Sequence, residues 1–155
     1  MYSRQEASRI RKEFWTRLGQ YLAPIPGAEG LKVNWLNYKT GFKGLYFRMD
    51  ADQKKVSISI EMDHNDPDLR QLFFEQFLEL KSVLHNSLEE EWEWEPDTTN
   101  EFGQSISRIG KSITGVNIFD ENTWPEMIGF LKPKIIALDE FWSMAKDHFE
   151  ELRTL

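Results

Sequence analysis

Residues 56–63, Val-Ser-Ile-Ser-Ile-Glu-Met-Asp, alternate apolar and polar positions without a break. Period two predicts a strand with one buried and one wet face. The wet face ends in two carboxylates, Glu61 and Asp63. Two further strands are expected before it, over Lys32–Tyr38 and Gly44–Asp50, with Lys39-Thr40-Gly41 as the turn between them. Residues 51–54 are polar and short enough for a hairpin loop. That loop would set Asp50 against Lys55, Arg48 against Ser57, Tyr46 against Ser59 and Gly44 against Glu61. Glu90–Pro96 alternates acids with Trp92 and Trp94, and reads as a fourth strand. Its acid row wants a basic cross-strand partner. Arg108 or Lys111, in a fifth strand over Gly103–Ser112, would supply it.

Helical periodicity governs the rest. Ser3-Arg4-Gln5-Glu6 has the form of a capping box, and Ala7, Ile10, Phe14, Leu18, Tyr21 and Leu22 follow on one stripe until Pro24 and Pro26 stop it. Asp66-Pro67 opens a second helix to about Leu88, cap then first-position proline. Thr123-Trp124-Pro125-Glu126 reads as another capping box, opening a helix to the C-terminus that Pro133 should kink. The order is α-β-β-β-α-β-β-α. It predicts an α+β fold, an antiparallel sheet of about five strands with three main helices packed on it, in a single domain over residues 1–155.

The chain has 155 residues, six Trp, eleven Phe and a net charge of −7. Aromatics on this scale supply a full core. An acidic chain without clustered bases repels a phosphate backbone, so direct nucleic-acid contact is not expected. The absence of cysteine removes disulfides, thiolate nucleophiles and Cys-based zinc sites. The start has no signal-peptide core, and no run approaches the roughly 18 apolar residues of a spanning helix. A cytoplasmic protein with no membrane association is expected.

Several residues carry the resemblance of this chain to a known family. They are the Phe14-Trp15 pair, Gly44-Leu45-Tyr46-Phe47, the strand from Ile58 to Asp63 running into Asp66-Pro67, Ser105-Ile106-Ser107, Trp124 and Phe141-Trp142. The chain resembles, over nearly its whole length, the bacterial family catalogued as domain of unknown function 4268. In that family the domain often follows a nuclease-like domain. The resemblance implies an accessory role near nucleic-acid or defence enzymes, and brings no catalytic residues with it.

The candidate chemistry is thin. Read as an enzyme, the α-β-β-β-α-β order is similar to the restriction-endonuclease-like core, and Glu61 and Asp63 would be the metal-binding acids of an unusual or degenerate nuclease. Asp63 stands where an acid-x-Lys motif has its lysine. The expected hairpin also sets Asp50 roughly 20 Å along the ladder from Glu61, at about 3.4 Å per residue. No catalytic residue is therefore assigned outside that alternative, and no metal or cofactor is expected. His64 with Asp68 and His85 with Glu89 show only isolated i,i+4 spacings. Trp92, Trp94, Phe74, Phe141 and Trp142 are candidates for a ligand or partner surface, or for a homodimer face, against plain core. Glu91, Glu93 and Glu95 around the two indoles point away from nucleic acid and toward either core or a partner protein with a basic surface.

Overall fold

The computed structural model describes residues 2–155. Four strands form one sheet: β1 (Leu45–Ala51), β2 (Lys55–Met62), β3 (Glu93–Thr99) and β4 (Ser105–Thr114). Their spatial order is β1-β2-β4-β3, every pair antiparallel. The helices are α1 (Arg4–Leu22), α2 (Pro67–Glu79), α3 (Lys81–Leu88) and α4 (Trp124–Ala145). The α+β class and the antiparallel sheet are as the pattern predicts. Among the described residues there are four strands and four α-helices, against the about five strands and three main helices expected.

The strand expected over Lys32–Tyr38 does not form. One 3-10 turn, Trp35–Asn37, stands there, with the Asn34 side chain accepting from the Asn37 amide. Trp35 is buried and donates its indole N–H to the Ile25 carbonyl, 3.0 Å away. The alternation of Val33 and Trp35 thus reflects an anchor beneath the end of α1, not a ladder. The long helix expected from Asp66 breaks at Leu80, whose backbone leaves helical geometry, and continues as α3. The final helix ends at Ala145 and passes into 3-10 turns over Lys146–Thr154.

Caps show the same mixture. Asp66 accepts from the Asp68 amide with Pro67 in the first turn, as the sequence suggests. Ser3 accepts from the Glu6 amide, but the Glu6 carboxylate accepts from the Ser3 hydroxyl instead of from the backbone amide. Thr123 does not cap α4. A 3-10 turn over Glu121–Thr123 already holds it in helical geometry. Its hydroxyl accepts from the Asn117 amide and lies 2.8 Å from the carbonyls of Asn117 and Asp120.

All main helices lie to one side of the sheet, with α4 central. Val56, Ile58, Ile60 and Met62 of β2, Leu45 and Phe47 of β1, and Ile109 of β4 face them and are buried. Phe14, Leu18 and Leu22 of α1 complete the core against α4, where Phe14 meets Trp124 edge-on at 5.4 Å. The segment between α1 and β1 is pinned by one buried acid. Asp139 of α4 accepts from the Ala28 amide at 2.7 Å and from the Tyr38 hydroxyl.

The β1–β2 hairpin is tighter than expected. Asp52 and Lys55 close a two-residue turn, with the Asp52 carboxylate accepting from the amides of Lys54 and Lys55. These bonds hold the Asp52 carboxyl below its ordinary range. The register is shifted two residues from expectation: Asp50 faces Ser57, Arg48 faces Ser59, and Tyr46 faces Glu61. A shift of two preserves which face each side chain takes. Asp50 is then four ladder positions from the residue opposite Glu61, about 14 Å at ~3.4 Å per residue.

Candidate binding face

The side of the sheet away from the helices is uncovered, and its side chains form cross-strand rows. One row is Tyr46, Glu61, Arg108 and Glu95 from β1, β2, β4 and β3. The next is Arg48, Ser59, Gly110 and Glu93, and the third begins Asp50, Ser57, Ser112. In the second and third rows small residues occupy the two central strands, with Arg48, Asp50 and Glu93 on the edge strands, while Glu61 and Arg108 close the trough at the first row. This makes a trough floored by Ser57, Ser59, Gly110 and Ser112, of about 610 Å³, with segments 36–38 and 100–104 at its rim.

Gly110 sets the depth of the floor. A Cβ there would stand 2.9 Å from the Ser59 Cβ and 3.1 Å from the Ile58 carbonyl oxygen. No larger residue fits without parting the central strands.

Glu61 lies within a clamp. Its two oxygens meet the Arg48 Nε at 3.2 Å and the Arg108 Nε at 3.5 Å, and the Ser59 hydroxyl donates to it at 3.0 Å. Its side chain is 14 % exposed. Arg108 also reaches Glu95 at 3.8 Å, and the Arg48 guanidinium covers the Tyr46 ring at 4.3 Å. Asp63 lies at the trough edge and has no ion-pair partner among the described residues. Glu61 and Asp63 thus differ in kind: one is internally neutralised, the other free. Among the described residues no group of three or more His, Asp or Glu side chains converges as a metal site would require.

The aromatic candidates lie elsewhere. Trp92, Phe74, Phe141 and Trp142 are buried in the core, and Trp94 is half-buried on the helix side of the sheet, edge-on to Phe74 at 5.8 Å. None opens onto the trough. Trp92 donates its indole N–H to Glu90 at 2.7 Å, and Glu90 pairs with Lys111 and Lys134. That cluster ties the turn before β3 to β4 and α4. The basic partners expected for the acid row are present, but divided: Arg108 serves Glu95 on the open face and Lys111 serves Glu90 on the other.

His64 is buried against Phe73, ring centroids 4.4 Å apart. Among the described residues no well-aligned hydrogen bond reaches either nitrogen, and the Lys43 backbone favours the protonated form. Burial pushes its pKa below the usual value. It packs on Gly44, where φ is +81° and a Cβ would come within 2.6 Å of the ring. His85 touches Trp94 and brings no carboxylate with it.

Two features of the face escape a reading of the sequence. Arg48 as a partner of Glu61 depends on the hairpin register. Phe102, 78 % exposed, sits at the tip of the β3–β4 loop. The Asn100 carboxamide oxygen accepts from the Phe102 and Gln104 amides, and its NH2 donates to the Gln104 side chain, so the loop is fixed. The signal for this loop is Asn100 followed by Gly103.

Among the described residues no helix is long and apolar enough to cross a membrane. Comparisons with curated proteins and with solved structures found no match. A family model described as "Domain of unknown function (DUF4268)" matches residues 10–146, most of the chain, and the protein belongs to that family.

Proposed function

We propose that this chain is a non-enzymatic protein-interaction domain, an accessory to nucleic-acid or defence enzymes, that docks its partner on the open face of the sheet. The observation that supports this is the walled trough itself, where Glu61, the carboxylate a nuclease would need, is engaged by two guanidiniums and a hydroxyl. A metal-binding acid must keep lone pairs free for the cation. Here each oxygen already faces a guanidinium and Oε2 also accepts from Ser59, so a cation would have to displace them, and Asp50 is about 14 Å down the ladder from the residue facing Glu61. The trough volume lies within the ~300–1,000 Å³ of ordinary binding sites. Its walls are charged and its floor is small and polar, which suits a side-chain-bearing partner better than an apolar metabolite.

The accessory context comes from the family resemblance, and the docking face from the geometry. The test is co-expression with the proteins encoded by the genes that adjoin this one, any nuclease or methyltransferase among them first. A complex is expected, and Ser112→Trp, which fills the exposed floor without entering the core, should abolish it with the circular dichroism unchanged. A complex indifferent to Ser112→Trp, or no complex, would count against the docking face.

A further inference from the structure

The geometry points to a Lys/Arg-bearing extended segment of a partner protein as the occupant of the trough, an inference that rests on the docking face proposed above. Its basis is what remains charged after internal pairing. Glu61 and Glu95 are taken up by Arg48 and Arg108. Asp50, Asp63, Glu93 and Glu101 line the trough with no ion-pair partner among the described residues, and Lys55 is the unpaired cation facing them. Four free carboxylates to one free ammonium is a field that attracts cations and repels phosphate.

Shape argues for an extended chain. Four strands spaced by about 4.8 Å set the edge-strand walls about 14 Å apart, room for one extended segment with its side chains between them. Phe102 supplies an apolar contact at the rim. It is exposed yet held by the Asn100 bonds, so little conformational freedom is lost when a partner covers it. Exposed, preorganised aromatics of this kind act as interface anchors. The partner segment therefore carries basic residues with an apolar side chain beside them, the latter meeting Phe102.

The experiment is amide chemical-shift mapping of the intact chain. Three probes of equal length are titrated at low salt: a Lys/Arg-rich peptide with a central Leu, a Glu/Asp-rich peptide with the same Leu, and a single-stranded oligonucleotide. The basic peptide is expected to move the amides of Ser57, Ser59 and Gly110, and to weaken with added salt. Glu93→Gln with Glu101→Gln should weaken it about tenfold, and Phe102→Ser about fivefold. Trough shifts caused by the acidic peptide or the oligonucleotide would overturn the charge assignment while leaving the docking face standing. Basic-peptide shifts confined to the helix side would overturn both. No binding by any probe would overturn the charge assignment.

Discussion

Gly110 and Ser59 face each other across the central strand pair so closely that a single methyl group on Gly110 would come 2.9 Å from the Ser59 Cβ. This contact keeps the trough floor low and the two strands in hydrogen-bonding distance. Gly110→Ala should lower unfolding stability by about 1–3 kcal/mol, the usual cost of overpacking. Urea denaturation measures it. A change within error would mean the strands part without cost.

Glu61 is the centre of the charge network on the same face. Replacing it with Gln keeps the shape but removes the countercharge of Arg48 and Arg108. With Arg48 about half exposed, solvent screens much of the interaction. The expected loss is about 1 kcal/mol. A cycle pairing Glu61→Gln with Arg108→Met should show coupling, since the two groups share one network. Strict additivity would place Glu61 outside that network.

The buried imidazole of His64 makes stability depend on pH in a stated direction. Burial lowers its folded-state pKa below the 6.5 of a free imidazole. The Asp63 carboxylate, then the Lys43 backbone and Asp66, oppose that shift, and Arg70 adds to it. A lowered folded pKa means the unfolded chain takes up the proton first. The contribution is fully present above about 6.5 and is lost as the pH falls through the folded value. Thermal midpoints recorded across that range should fall on acidification, and His64→Phe should flatten that part of the profile. An unchanged slope in His64→Phe would assign the dependence to other groups.

Half-buried Tyr38 donates its hydroxyl to the buried carboxylate of Asp139. Burial, then the bond to Asp139, pushes the Tyr38 pKa well above its usual value. Asp139→Asn, or Asp139→Ala if the amide finds new partners, should cost about 2–4 kcal/mol, because it unties Ala28 and Tyr38 together. In an alkaline absorbance titration, the phenolate signal that Tyr38→Phe removes should appear only as the fold opens. A Tyr38 signal in the ordinary tyrosine range would contradict the burial argument.

The alternating positions carried most of the fold. In β2, period two assigned the inner face correctly, with Val56, Ile58, Ile60 and Met62 all buried, because a buried sheet face demands it. The same signal misled at Val33 and Trp35, where an anchor to the Ile25 carbonyl produces alternation without a neighbouring strand. The register of β1 on β2 was hidden for a local reason: whether Asp52 closes a two-residue or a four-residue loop depends on its carboxylate bonds to Lys54 and Lys55. Hence the Arg48–Glu61 contact, and with it the character of the trough, was invisible in the sequence. Trp92, Phe74, Phe141 and Trp142 show the reverse. Their apolar size marks them equally as core or as surface, and only the packing around α4 assigns them to the interior. For Phe102 the sequence offers a loop, and the structure adds its exposure.

The most direct measurement is a cleavage assay on supercoiled DNA, linear DNA and RNA with Mg²⁺ or Mn²⁺, comparing the wild-type chain with Glu61→Gln. With Glu61 held between Arg48 and Arg108, no metal-dependent cleavage by either protein is expected. Reproducible cleavage by the wild type that vanishes in Glu61→Gln would show that the clamp opens to a catalytic metal, and would contradict the account.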